Sequence, residues 1–380
     1  MLYNEYGSTG INVSKIGFGG MRFENINDFD ASAEIVKLAY DNGINYFDTA
    51  PLYAKSEDIF GVAFNEMNKS RTKKPFYVAT KTFASDPANV RKDLENSLQR
   101  MNLDHIDFHH VWCILSLDAY NSRKQKGVLD EFEKLQREGL IKHICVSTHM
   151  IGEDVGKLLA DYPFAGVLLG YCVSNFAYRE KALEAAANLK RGVVVMNPLS
   201  GGAIPKNPDR FAFVKTRPDE SVVDAAIRFL LNDPRITVAL VGMGTKSHVT
   251  DAINAVAGFK PISQQKITEI RSNLKEAFNS LCTACRYCDD CPQSIPIPQL
   301  MLSYNHFLLT GESLEMVNQI RYAWGVDFTN NPIDNCTKCR LCESACTQKL
   351  DIINRLDIIK KHIDTVLADE AAKKLNNPQS

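Results

Sequence analysis

Along the first two thirds of the chain, short unbroken apolar runs alternate with longer stretches whose apolar residues return every three or four positions. The short runs predict strands at 15–18, 45–48, 76–81, 106–112, 142–147, 166–171, 193–196 and 238–241. The longer stretches predict amphipathic helices near 30–42, 55–68, 87–101, 127–139, 152–161, 178–191, 219–232 and 246–257, with Asp30 and Asp219 as N-caps or first-turn acids. Residues 1–14 read as a hairpin around Gly7 and Gly10. Strands that are apolar throughout are buried on both faces, and regular strand–helix alternation implies a parallel sheet covered by helices. Eight such units in roughly 250 residues fit a closed (β/α)8 barrel, the TIM barrel. An open doubly wound sheet would carry a G-x-G-x-x-G turn after its first strand. Here Gly17-Phe18-Gly19-Gly20-Met21-Arg22 puts Arg22 in place of the third glycine.

Beyond about residue 275 the pattern changes. Helical periodicity appears at 263–280, 298–308, 312–322 and 352–374, with cysteine-rich runs between. This predicts a barrel over 1–275 and a small helical domain over 276–380, too short to bury much core unaided. Disorder is expected from Asn376 to Ser380.

Composition narrows the class. At 45% apolar and 23% charged, the chain is an ordinary globular sequence. A formal net charge of −1 gives no basic footprint for nucleic acid or acidic lipid. No apolar run approaches the roughly 20 residues that span a bilayer. The opening MLYNEYGSTG has neither the basic nor the apolar region of a secretory leader, so a cytoplasmic location is expected. Of eleven cysteines, Cys113, Cys145 and Cys172 are scattered, and eight fall between 282 and 346. A reducing compartment disfavours disulfides, so the cluster points to metal.

Its spacing says which metal. Cys336-x2-Cys339-x2-Cys342-x3-Cys346 has four-iron ferredoxin spacing, with Thr347 where a proline usually follows. Cys282-x2-Cys285-x2-Cys288-x2-Cys291 keeps the following Pro292 and is one residue short before its fourth cysteine. Zinc wants two spaced pairs, and thiolates at even x2 spacing favour cubane clusters. Two [4Fe–4S] clusters are the leading expectation, with zinc and redox thiols as alternatives. By ferredoxin precedent each fourth cysteine serves the other cluster: Cys282, Cys285, Cys288 with Cys346, and Cys336, Cys339, Cys342 with Cys291.

In (β/α)8 barrels chemistry sits at the C-terminal strand ends. Asp48 ends the second strand, Tyr53 follows in its loop, and Lys81 ends the third. A phenol can protonate a developing alkoxide, and a nearby ammonium lowers its ordinary pKa of about 10. Lys81 is placed to do this and Asp48 to hold Lys81. The plainer reading is an ion pair beside a buried tyrosine. The run Val241-Gly242-Met243-Gly244-Thr245-Lys246-Ser247 leads from the last strand into a helix, and such a helix start favours a phosphate.

Together these residues give the chain a resemblance to the aldo-keto reductase superfamily over residues 1–275. Gly7-Ser8-Thr9-Gly10, Gly17 to Arg22, Phe47-Asp48-Thr49-Ala50, Tyr53 and Ser56-Glu57 carry it, followed by Ala79-Thr80-Lys81, Ile106-Asp107-Phe108, Asn197-Pro198-Leu199 and Val241-Gly242-Met243. The tail resembles the helical ferredoxin-like domains found on a subgroup of that family. The resemblance implies NADPH-linked reduction of a small-molecule carbonyl, with Tyr53, Lys81 and Asp48 as three members of a catalytic tetrad. The family's histidine position is Trp112 here. His110 shares a strand face with Trp112 about 6.6 Å deeper, two residues at about 3.3 Å each. It polarises a carbonyl, orders a water or fills the core; His109 faces the other way. The resemblance also implies NADP(H) contacts from Met21, Arg22, Ser147, Asn197, Gly242, Met243, Gly244, Thr245, Lys246 and Asp251, with NAD(H) as the alternative.

Hydride transfer moves two electrons and each cluster moves one, so coupling them wants a splitter such as a flavin. A flavin in the nicotinamide pocket therefore stays open. Besides carbonyl reduction, two functions remain. One is electron transfer between a ferredoxin or flavodoxin and a barrel-bound cofactor. The other is a non-catalytic nucleotide-binding sensor.

Overall fold

A computed structural model describes residues 1–150, 152–174, 176–273, 281–283, 285–328 and 331–376. Its strands are β1 (Tyr3–Glu5), β2 (Asn12–Ser14), β3 (Ile16–Gly19), β4 (Tyr46–Asp48), β5 (Tyr77–Thr82), β6 (Ile106–Ile114), β7 (Ile141–Thr148), β8 (Gly166–Gly170), β9 (Gly192–Met196) and β10 (Val238–Gly242). β1 and β2 pair antiparallel, as the glycines at 7 and 10 suggest. The other eight close into a parallel barrel in the order β10-β3-β4-β5-β6-β7-β8-β9. The eight expected strands all form, because a continuous apolar run can only be buried on both faces.

The helices are α1 (Phe29–Asp41), α2 (Ser56–Met67), α3 (Pro87–Met101), α4 (Leu117–Gln125), α5 (Val128–Arg137), α6 (Gly152–Asp161), α7 (Phe176–Asn188), α8 (Ala203–Lys206), α9 (Val222–Leu231), α10 (Lys246–Ala257) and α11 (Gln264–Asn273). Asp28 caps α1 through the Ala31 N–H and leaves Asp30 in the first turn. Asp219 does neither job: Ser221 caps α9, and Asp224 is its first-turn acid. α4 is unexpected, since its LDAYNSRKQ sequence has no apolar face to read. The part of the expected 263–280 helix beyond 273, and residues 377–380 of the expected disordered end, lie outside the described residues.

The hairpin β1–β2 supplies Tyr6 and Val13 to the barrel interior, where they join Tyr46, Phe108, Cys145 and Leu168. Tyr6 is fully buried, its ring centroid 4.1 Å from that of Phe108. Glycines make the room: a Cβ on Gly166 would lie 2.3 Å from the Tyr6 hydroxyl, and one on Gly192 2.5 Å from its ring. These contacts tie the hairpin to the N-terminal part of the barrel core and leave the C-terminal strand ends for chemistry.

The chain divides into two compact units, one of Met1–Leu199 with Phe211–Asn273 and one of Ser200–Arg210 with Leu274–Ser380. The second unit therefore takes a segment from inside the expected 1–275 domain. A Cβ on Gly201 would come within 2.7 Å of the Thr283 carbonyl, so this segment lies against the start of the tail. Helices in this unit cover Ile297–Thr310, Ser313–Asn318, Leu341–Ala345 and Ile352–Asn376. Contrary to the expectation of little core, it buries its own apolar cluster, with Leu300, Met301, Met316, Ile320, Ile352 and Ile359 at its centre.

Candidate active site

Strand register assembles the first group. Asp48 on β4 stands beside Ala79 on β5, and Lys81 two residues on projects to the same inner face. Lys81 Nζ donates to Asp48 Oδ1 at 2.6 Å, with both side chains almost completely buried. Burial pushes the Asp48 carboxyl up and the Lys81 ammonium down, and their contact pulls each back toward its charged form. The other carboxylate oxygen, Oδ2, is buried with no hydrogen-bond partner. Glu57 braces the same layer from behind, accepting from Thr80, Ser97 and Arg100.

Tyr53 follows a turn closed by its N–H on the Ala50 carbonyl. Lys81 Nζ lies 5.3 Å from the Tyr53 ring centroid, so three expected residues do converge. The phenol's acidity runs the other way from the expectation. Burial first, then the Asp48 charge and Cys113, push its pKa up, with Arg22 opposing. Lys81 is committed to Asp48 and does not reverse this.

Trp112 packs edge-on to Tyr53 at 5.6 Å and to Phe83 at 6.0 Å. The β6–β7 register shifts between Val111 and Ile114, and Cys113 holds a φ of 56°. This bulge aims the indole. Arg123, buried on α4, donates to the Trp112 carbonyl at 2.6 Å and to that of Phe83 at 3.3 Å. Neither Cys113 nor Arg123 stands out in the sequence. A left-handed cysteine has no compositional signal, and an arginine in a polar helix looks like a solvated one.

His110 faces the barrel interior in register with Lys81, while His109 stacks outward on Phe132 with ring centroids 4.9 Å apart. His110 is fully buried, lies against the Val146 backbone, and has no well-aligned partner for either ring nitrogen. Burial and the Lys81 charge hold it well below the ordinary imidazole pKa, so it is neutral.

The residues expected to hold a cofactor lie at strand ends and in the loops that follow them. Ser147 on β7 is buried, and its hydroxyl has no hydrogen-bond partner. Asn197 follows β9 with a φ of 59°. Gly242 and Gly244 leave room for Arg22: a Cβ on the first would meet the Arg22 side chain at 2.9 Å, and one on the second its carbonyl at 2.1 Å. Met243 is fully buried. Thr245 caps α10 and lies 2.9 Å from the Ser247 hydroxyl, and Lys246 and Asp251 are exposed on that helix. Met21 is 40% exposed just after β3. His248, which sequence reasoning passed over, takes the Gly244 N–H on its Nδ1 at 3.2 Å. An orphaned buried hydroxyl, exposed cations and a capped helix start fit a dinucleotide.

In the second unit the thiols of Cys282, Cys285 and Cys346 all act electrostatically on Cys288. Cys288, Cys291, Cys336, Cys339 and Cys342 line a cavity of about 290 Å³. Among the described residues no three His, Cys, Asp or Glu side chains are set to hold a single ion. Thiols spread around a cavity suit a cluster, where each thiolate binds its own iron.

Comparison with known proteins agrees with the barrel. The chain is 28% identical to L-galactose dehydrogenase of Arabidopsis thaliana over 312 residues, covering 72% of this chain and 94% of that protein. It is 27% identical to the uncharacterized oxidoreductase YrpG of Bacillus subtilis, covering 67% and 91%. The solved holo form of aldo-keto reductase AKR11C1 from Bacillus halodurans shares the fold at a TM-score of 0.62 and 20% identity, over 72% of this chain and 97% of that one. No helix among the described residues is long and apolar enough to cross a membrane. The sequence model of the aldo/keto reductase family matches residues 15–275, and the chain belongs to that family, as an NAD(P)H-dependent oxidoreductase.

Proposed function

We propose that the barrel reduces a small-molecule carbonyl at the expense of NADP(H), with Tyr53 as general acid, and that the tail carries two [4Fe–4S] clusters. The observation that carries the first part is the buried Asp48–Lys81 pair at 2.6 Å, with Lys81 Nζ 5.3 Å from the Tyr53 ring. NADP(H), when bound by Arg22, Ser147, Asn197, Gly242, Gly244, Thr245 and Lys246, supplies the hydride. Met21, Met243 and Asp251 flank that site. Tyr53 gives its proton to the carbonyl oxygen as negative charge develops there. A phenol held above its ordinary pKa stays protonated across the neutral range and is always ready to donate. The phenolate left behind needs a cation: Lys81 Nζ lies 5.3 Å from the ring, and the Arg22 charge also favours the phenolate. Asp48 fixes the ammonium so that no reorganisation is needed when that charge appears. His110, neutral and in register with Lys81, fills the barrel interior beside it. Trp112 closes the place of the family histidine and narrows the pocket around Tyr53.

In the tail, the two thiol groupings would each hold one cluster and supply one-electron chemistry. The eight thiols are free of disulfides, and soft ligands in fours suit iron–sulfur centres. The displaced histidine favours a second reading, in which the clusters exchange electrons between a ferredoxin or flavodoxin and a nicotinamide or flavin in the barrel. Tyr53→Phe separates the two. Carbonyl reduction by the first mechanism falls about 10²- to 10⁴-fold. Retention of full NADPH-linked carbonyl reduction would exclude Tyr53 as the acid.

A further inference from the structure

The two thiol groupings differ in their surroundings. In the first, Cys282 is 8% and Cys346 7% exposed, whereas Cys339 of the second is on the surface. Thr347, fully buried, places its hydroxyl 3.3 Å from Cys285 Sγ. This is the residue that replaces the usual proline of the run, and a proline there has no side-chain donor. The Leu350 N–H donates to Cys346 Sγ at 3.4 Å. Asn305 clamps Cys282, accepting from its N–H and donating to its carbonyl, each at 2.8 Å. Arg355 is 7% exposed, stands over the Tyr304 ring at 5.1 Å, and acts electrostatically on Cys282 and Cys346.

The second grouping is served differently. Its cavity is lined by Arg340, but that side chain is exposed and paired with Glu343 at 3.0 Å. The Glu343 amide lies near Cys342. An exposed, paired guanidinium is screened by water and salt. A buried one acts through a lower dielectric. Reducing a cluster adds one negative charge, so hydrogen bonds to its sulfurs and a buried cation favour the reduced state.

Resting on the two-cluster reading of the tail, we infer that Thr347, the Leu350 amide and Arg355 set the cluster held by Cys282, Cys285, Cys288 and Cys346 at the higher reduction potential. Were both clusters bound, each would exchange one electron, and the equilibrium between them would favour reduction of the one held by these four thiols.

The test is a redox titration of the full-length protein, purified without oxygen, followed by electron paramagnetic resonance with dithionite as reductant. Iron and acid-labile sulfide are measured on the same samples. Two reduction waves are expected. Thr347→Val and Arg355→Met each move the higher wave down by tenfold or more in the one-electron equilibrium, about 59 mV, and leave the lower wave in place. Arg355→Lys keeps most of the potential. If Arg355→Met fails to assemble clusters, Thr347→Val decides, since it exchanges one hydroxyl for a methyl. Full iron and sulfide with unmoved waves, or with both moved equally, overturns the inference alone. Protein that binds no iron and sulfide overturns the two-cluster reading as well.

Discussion

Asp48 and Lys81 depend on each other. Taking either away leaves one buried charge without its partner, which costs about 3–5 kcal/mol. Lys81→Met should show this in urea unfolding, and pairing it with Asp48→Asn should return part of the loss. Two of the buried histidines, His109 and His110, give a second measurable effect. Unfolded imidazoles take a proton below about pH 6.5. In the folded barrel His110 stays neutral far lower, and His109 is pushed down to about 3. The unfolded chain therefore binds more protons as the pH falls, and stability drops below pH 6.5. The slope reaches about 1.4 kcal/mol per pH unit for each ring. His109→Asn should remove one ring's share between pH 6 and 4. Asp48, Tyr53 and Lys81 were legible in the sequence because each follows directly from a strand end. The raised phenol was not, because its largest cause is burial, to which Trp112 contributes from a strand irregularity that no residue type announces.

Among elements, the β1–β2 hairpin offers the sharpest packing test. Gly192→Ala sets a methyl against the Tyr6 ring and should cost about 1–3 kcal/mol. In a Tyr6→Leu background the same change should cost less, and the difference measures the contact directly. The strands were readable almost to the residue, since burial on both faces leaves no polar positions to confuse the pattern. α4 was not readable, because its nine residues are held by the Ser116 cap and by buried Tyr120 and Arg123, not by an apolar stripe. That helix nevertheless positions the site. Arg123→Met leaves the buried Trp112 carbonyl without its donor, at about 1–3 kcal/mol. It should also raise KM for the carbonyl more than it lowers kcat, as the indole loses its fixed place.

For the whole molecule, two compact units predict two unfolding events. If the tail's thiols hold clusters, iron chelation should lower only one of the two calorimetric transitions, since metal affinity adds to the folding free energy of the unit that binds it. The barrel's extent was legible as repeated strand–helix units. The membership of Ser200–Arg210 in the second unit was not, because nothing local distinguishes a loop that packs on its neighbours from one that packs on residues far along the chain. That membership has a consequence for synthesis. Gly201 leaves the ribosome 82 residues ahead of Thr283, the residue it lies against. At about 5–20 residues per second the segment waits roughly 4–16 s for its partner. During that interval the nascent barrel carries an undocked flap, and a chain terminated at 275 would carry it for good.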